Sequence, residues 1–303
     1  MERVTIALSN SIFIVTIGKS KLLLRVYGLG CEDFIDRKSE LQWLARLSKL
    51  KLSPRLLAIF GNGRFEEYLP STTLLPNDIR DPLISRQLAP RIRELHSVVD
   101  IYPPPTVSSK ESQLASTVWQ RSVDRWYQTL ETVENLPEKL NLEILGHEIA
   151  QAKSMLIKSN SPIVFGHGDT QYGNILRLTG SNDLVLVDFE YSGYNPRGLD
   201  LVNHFCEWTY DYQSETVSAQ MQWELFPSIE KQRNFLTAYI GNRESDVDVD
   251  TLLQEASDWI LGNHIYWALW GMVQATRSDI DYDYWAYSFC RLDAFRKELE
   301  SRK

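Results

Sequence analysis

Residues 164–178 read VFGHGDTQYGNILRL, and this stretch decides how the chain is understood. Val164 and Phe165 end one strand-like apolar run, and Ile175, Leu176 and Leu178 form a second. Between them stand His167, Asp169, Gln171 and Asn174, with Gly166, Gly168 and Gly173 beside them. A solvated turn uses glycine and asparagine for their left-handed conformations and local hydrogen bonds. It has no need of an aspartate five residues before an asparagine. Fourteen residues beyond Asn174, directly after the run LVLV, comes Asp188. The two aspartates therefore flank a strand pair. An ordinary aspartate, with a pKa of about 3.9, is ionised at neutral pH and can take a proton. Oxygen donors such as Asp188 and Asn174 suit a hard cation like Mg²⁺. The plainer reading, that Asp169 and Asn174 only cap a turn, stays open on the spacing alone. An aspartate directly after a buried-looking strand favours chemistry.

The bulk composition narrows the classes. With 303 residues, 43% of them hydrophobic, the chain can build one large core, or two domains of about 150 residues each. A net charge of −8 argues against a nucleic-acid partner, whose phosphates call for Lys and Arg, and tolerates a cationic substrate. Three widely spaced cysteines, Cys31, Cys206 and Cys290, indicate neither a disulfide framework nor a zinc site and point to a cytoplasmic protein. The opening MERVTIALSN lacks the apolar core of a signal peptide, and no run of about 18 apolar residues predicts a transmembrane segment.

Working outward, the first 70 residues read mostly as strands. SIFIVTI and KLLLRVY flank Gly18-Lys19-Ser20 and predict a hairpin. SELQWLARLSKL places Leu41, Leu44 and Leu47 at helical spacing, with Ser39 as the expected N-cap. RLLAIF and GRFEEYL form a second hairpin through Gly61-Asn62-Gly63. After Pro70 helical periodicity takes over: Ile84, Leu88, Ile92 and Leu95 share one face, and Leu145, Ile149, Ala152 and Leu156 another. YPPPTVSS is an exposed loop. The expected fold is α+β, with a small antiparallel-sheet lobe over 1–69 and a larger, mostly helical lobe over 70–303.

Two further patterns carry chemistry. Asp200, His204, Glu207 and Asp211 fall on one helical face beside a stripe of Leu201, Phe205, Trp208 and Tyr212. The bland reading is an amphipathic helix with a solvated acidic face; a substrate role for Glu207 is the alternative. Near the end, Trp267 and Trp270 stand three apart on a helix, followed by Tyr282, Tyr284, Trp285 and Tyr287. Such stripes are usually core. Aromatic walls are also what a quaternary ammonium needs, each face contributing about 0.5–2 kcal/mol.

The order Asp169-x4-Asn174, then Asp188-Phe189, resembles the catalytic and magnesium loops of protein kinases. More specifically, VFGHGDTQYGNILRL, LVLVDFEYSGYNPRGLDLVNHFCEW and HIYWALWGMVQA resemble the hallmark segments of the choline/ethanolamine kinase family, which is related to the aminoglycoside phosphotransferases. The resemblance runs from LLLRVYG and GRFEEYLPS to the terminal helix. It implies a bilobal protein-kinase-like fold and ATP- and Mg²⁺-dependent phosphorylation of the hydroxyl of choline, with ethanolamine left open as a second acceptor. Carried onto this chain, Asp169 is the expected catalytic base, with Gln171 near the transferring phosphate and Asn174 and Asp188 holding Mg²⁺. Arg25 takes the place of the kinase strand lysine, with Glu40 as its partner on the small-lobe helix. Glu67 and Leu69 offer hinge backbone groups to adenine. Tyr191, Glu207, Tyr212, Trp267, Trp270, Tyr282 and Tyr287 form the expected amino-alcohol pocket. His167 reads as a structural hydrogen-bonder, because no serine or cysteine nucleophile accompanies it.

The chain departs from the family at the phosphate turn, reading TIALSNSIF with Ala7 and Leu8 where a glycine-bearing stretch is usual. Ser9 and Asn10 are the residues left there to bind nucleotide. No extension precedes this strand, and such extensions help some members dimerise, so a homodimer is left open. The tryptophan pair and the tyrosines favour choline over ethanolamine, since a methylated cation prefers a dry aromatic box. Rival readings are an ethanolamine or aminoglycoside-type kinase and, from another class, an inactive choline-binding protein suggested by the glycine-free turn.

Overall fold

Gly18 and Lys19 close the first hairpin, Gly18 in the left-handed region at φ +60°, which a glycine enters without steric cost. A computed structural model describes residues 2–4, 10–28, 36–241 and 247–302 of the chain. Its first sheet runs β1 (Glu2–Val4), β2 (Asn10–Ile17), β3 (Ser20–Tyr27), β4 (Leu56–Phe60) and β5 (Gly63–Glu67). The strand order is β1-β2-β3-β5-β4, antiparallel throughout. Both expected hairpins are present, the second turning between Phe60 and Gly63. Helix α1 (Arg37–Leu50) buries Trp43, Leu44 and Leu47. Its cap is Asp36 and not Ser39: the Asp36 carboxylate accepts the Ser39 N–H, so the helix begins earlier than its apolar pattern indicates.

The chain clusters into two compact units whose membership is not contiguous. The first takes the residues up to Leu75 together with Tyr172–Tyr191. The later segment joins the first because β8 (Ile175–Leu178) pairs with both β6 (Ser71–Thr73) and β9 (Leu184–Leu186) in a three-stranded sheet. Strand pairing thus recruits residues distant in sequence, which a single cut near Leu69 does not anticipate.

The second unit, Pro76–Gln171 with Ser192 onward, is mainly helical. Its elements are α2 (Pro76–Arg80), α3 (Pro82–His96), α4 (Lys110–Ala115), α5 (Val118–Glu131), α6 (Leu142–Leu156), β7 (Ile163–Gly166), β10 (Gly193–Pro196), α7 (Arg197–Glu207), α8 (Ile229–Ile240), α9 (Val249–Arg277) and α10 (Tyr284–Ser301). The apolar faces expected on α3 and α6 point inward. The middle of α9, from Leu261 to Val273, is buried on every side and forms the axis against which α5, α6, α7, α8 and α10 pack. Gly198 lets α7 press on α9: a Cβ there would run into the Glu255 backbone carbonyl. No helix among the described residues is long and apolar enough to cross a membrane.

Candidate active site

In the second unit, the loop after β7 is fastened to α7 by its backbone. The His167 N–H donates to Asp200 Oδ2 at 3.0 Å and the Gly168 N–H to Asp200 Oδ1 at 2.7 Å. Gly168 sits at φ +84°, a conformation in which any side chain would be strained. The carboxylate of Asp200 also accepts from His96 Nε2 at 2.8 Å, so that nitrogen carries the hydrogen; His96 Nδ1 pairs with the Tyr239 hydroxyl at 2.7 Å. Burial pushes the Asp200 pKa up, but the His96 bond and the His167 and Gly168 contacts outweigh it and hold it below the usual carboxylate value.

One turn further along α7, His204 Nδ1 donates to the Thr170 carbonyl at 3.2 Å, and its Nε2 accepts the Trp208 indole N–H at 3.3 Å. Both ring nitrogens are assigned by these partners. Burial pushes the His204 pKa down to about 4, so the ring is neutral at physiological pH. Asp169 is therefore bracketed: α7 holds the two N–H groups before it and the carbonyl after it. Its own N–H donates to His167 Nδ1 at 3.3 Å, and Ser192 donates to the His167 carbonyl, so His167 is a backbone hydrogen-bonder within this loop. Asp169 and Gln171 are both half-buried.

The polar face of α7 is buried, where the pattern allowed a solvated one: Asp200 is 1%, His204 0% and Glu207 1% exposed. The helix ends at Glu207, so Asp211 and Tyr212 lie beyond it and Asp211 leaves the expected face. Asp200 and His204 hold the loop, whereas the sequence reading names them only as members of this helical face and gives them no role. Their signal was the i, i+4 spacing on a helix following the loop, but their partners His96 and Thr170 cannot be deduced from that spacing.

In the first unit, Val187 N–H bonds to the Asn174 carbonyl at 3.0 Å and continues the β8–β9 ladder. Asn174 and Asp188 thus emerge at the same end of that hairpin. Asp188 has φ +67°, a left-handed backbone held at a non-glycine residue. Its Oδ1 accepts from Arg25 Nη1 at 2.9 Å. Glu40 does not pair with Arg25, contrary to expectation: it binds Arg64 at 2.7 Å and Arg37 at 2.6 Å. The register explains the exchange. Arg25 on β3 lies opposite Arg64 on β5, and two opposed cations need interleaved carboxylates. Glu66 lies beside both, bonded to Arg64 and 3.7 Å from Arg25, which leaves Asp188 to Arg25 and Glu40 to Arg64. Burial works against both guanidinium charges, but these carboxylates outweigh it and raise both arginines above their usual pKa.

Of the remaining nucleotide-side residues, Ser9 lies outside the described residues, and Asn10 begins β2 opposite Tyr27. Glu67 N–H bonds to the Arg55 carbonyl and the Leu69 carbonyl accepts the Ser71 hydroxyl, so a hinge ligand would use the other backbone groups of this segment. Tyr191 is buried as the last residue of the first unit.

The other aromatic residues gather in the second unit. Trp270 meets Trp267 at 5.3 Å, Tyr284 at 5.7 Å and Tyr287 at 5.9 Å between ring centroids, all edge-on. Tyr287 approaches Tyr282 at 6.2 Å and Tyr210 at 5.4 Å, and Tyr210 stacks on Tyr212 at 5.1 Å. The Trp267 indole N–H is held by Asn203 Oδ1 at 2.7 Å. Glu207 Oε2 accepts the Tyr212 hydroxyl at 2.8 Å. Burial raises the Tyr287 pKa, with the Arg291 guanidinium opposing it and the Glu207 carboxylate adding to it. Glu207 stands on α7, so the helix that fastens the loop around Asp169 also reaches the aromatic cluster.

The model of the choline/ethanolamine kinase family matches residues 1–296. Among curated relatives, a protein named probable choline kinase 2 from Arabidopsis thaliana is 34% identical over 280 residues, covering 91% of this chain and 77% of the relative. Human choline/ethanolamine kinase is 31% identical over 296 residues, covering 91% and 71%. Among solved structures, an ethanolamine kinase from Plasmodium vivax superposes with a TM-score of 0.81 at 24% identity, covering 98% of this chain and 83% of that one, and shares its fold. The chain belongs to the choline/ethanolamine kinase family.

Proposed function

We propose that the protein phosphorylates the hydroxyl of choline with ATP and Mg²⁺, giving phosphocholine and ADP, with ethanolamine as a second acceptor. The observation that carries this reading is that α7, through Asp200 and His204, holds the loop on both sides of Asp169 and, through Glu207, reaches the aromatic cluster at Tyr212. A cationic head among ring faces would leave its hydroxyl near the Asp169 carboxylate. Asp169 takes the hydroxyl proton as the oxygen attacks the terminal phosphorus of ATP, and the bond to the ADP oxygen breaks. Gln171, two residues on, would orient the transferring phosphoryl group.

The nucleotide is assigned to the N-terminal lobe, 1–69, with the 172–191 segment, and the acceptor to the rest of 70–303. Arg25 would meet the phosphates, and Ser9, Asn10, Glu67 and Leu69 would line the remainder of that site. Glu40 would act on it through Arg64 and Glu66. Asn174 and Asp188 would hold a magnesium ion: both offer hard oxygen, they share one end of a hairpin, and Arg25 binds Oδ1 of Asp188, while its other oxygen can take the ion. Two protein ligands suffice, because Mg²⁺ keeps waters and takes substrate phosphates. When bound, the ion would offset the charge on the phosphates. Glu207, Tyr212, Trp267, Trp270, Tyr282 and Tyr287, with Tyr191, are the residues assigned to the acceptor pocket.

A coupled ADP-release assay with choline, ethanolamine and kanamycin tests the reading. Magnesium-dependent turnover with the highest kcat/KM on choline is expected. Turnover of kanamycin without choline would replace this reading by an antibiotic kinase. ATP consumption no higher than in Asp188→Ala would replace it by a binding protein.

A further inference from the structure

Arg291, on α10 one turn after Tyr287, is 0% exposed and lies in the middle of the aromatic cluster. Its Nη2 donates to Glu207 Oε1 at 3.2 Å, while Tyr212 donates to the other oxygen. Its guanidinium carbon sits 4.8 Å from the centre of the Tyr210 ring and 5.6 Å from that of Tyr287. Nη1 donates to Asn263 Oδ1 at 3.1 Å; Asn263 donates to Asn203, whose oxygen also holds the Trp267 indole. Arg291 is therefore a resident cation: it neutralises the carboxylate that α7 buries here and covers a face of two tyrosines.

We propose that Arg291 is a specificity-determining residue, which keeps Glu207 from serving as a charged acceptor and so favours a quaternary ammonium over a primary one. The inference rests on the choline reading above and deepens it. A primary ammonium leaving water needs acceptors for three N–H groups, and Glu207 has both oxygens engaged and its charge balanced. A trimethylammonium head has no donors and is satisfied by the ring faces left over. Without the guanidinium, the buried Glu207 can be ionised only beside another cation, and a primary ammonium can take that place with its N–H groups, which rewards the primary amine. Arg291 acts through Glu207 and does not touch the reacting atoms.

The test is the ratio of kcat/KM for choline to that for ethanolamine, with competition by tetramethylammonium and methylammonium as a readout of binding. In Arg291→Met the ratio is expected to fall at least about tenfold, the factor one charge-assisted hydrogen bond carries, mostly through a lower KM for ethanolamine. Arg291→Lys, which keeps a cation beside Glu207, should stay near the parent ratio. Arg291→Met combined with Glu207→Gln should return toward the parent ratio even if turnover on both substrates drops, because no free charge remains. A folded Arg291→Met with an unchanged ratio, or a Lys variant that shifts as far, overturns the proposal. If Arg291→Met does not fold, Arg291→Gln decides: a ratio at least about tenfold below the parent's supports the proposal, and an unchanged ratio overturns it. A parent that turns over neither substrate removes the choline reading along with it; a parent active on choline whose ratio stays fixed in the variants removes this inference alone.

Discussion

Replacing Asp200 by asparagine probes the loop anchor with little change of shape. The carboxylate accepts three hydrogen bonds, from the His167 and Gly168 backbones and from His96 Nε2. An asparagine keeps one oxygen and turns its NH₂ toward a buried donor. Each lost bond to a charged acceptor is worth about 1.5–3 kcal/mol, and an orphaned buried donor about 1–3 kcal/mol. Breaking a buried pair in this way is expected to cost about 3–5 kcal/mol overall. Urea denaturation at pH 7 reads the loss directly. The Asp200 pKa is lowered in the folded state, its bonds outweighing burial. A carboxylate of that kind stabilises at pH values above its unfolded pKa of about 3.9, and the contribution is lost as pH falls through the folded value. The gap between parent and Asp200→Asn should therefore be full at pH 7 and narrow below about pH 4. A loop shifted by about 1 Å should also lower kcat by about a hundredfold. A variant within about 0.5 kcal/mol of the parent, or a gap that does not change in acid, would refute the anchoring role.

Other outcomes follow from the same contacts. Asp188 sits at φ +67°, so Asp188→Gly should be more stable than Asp188→Ala by about 1 kcal/mol while both lose activity; equal melting temperatures would remove the strain argument. His204, whose pKa burial pushes down to about 4, stays neutral when folded but gains a proton when unfolded. Stability should thus fall as pH drops from about 6.5 toward about 4, and His204→Gln should flatten that slope in denaturation experiments at several pH values. Arg64→Met leaves Glu40 to the more exposed Arg37 and should lower the denaturation free energy by about 3 kcal/mol; adding Glu40→Gln and Glu66→Gln should recover most of it.

Local chemistry was legible in the sequence where local physics decides it. Gly18 specifies the first hairpin because it enters the left-handed region there, while Gly61 and Asn62 turn the second without a positive φ, so that the turn is signalled by residue type alone. The apolar faces of α3 and α6 follow from helical period alone. What escaped depends on register and long-range packing. Glu40 meets Arg64 only because β5 places Arg64 opposite Arg25. The face of α7 looked like a solvated acidic stripe, yet it is buried because its charges find partners on α3, α10 and the loop itself. Arg291 reads as an ordinary cation on the last helix until α7 brings Glu207 to it. Residues 172–191 join the first unit through the β6–β8 pairing, which no local pattern announces.

The central claim is that Asp169 takes the proton of an alcohol whose cationic head lies in the aromatic cluster. Phosphorus NMR of the product, read beside calorimetric choline binding in the parent and Asp169→Ala, tests it most directly. The parent should form phosphocholine and ADP in equal amounts. The variant should bind choline within about threefold of the parent and lose about 10²–10⁴ in turnover. Phosphocholine formed by Asp169→Ala at the parent's rate would contradict the account.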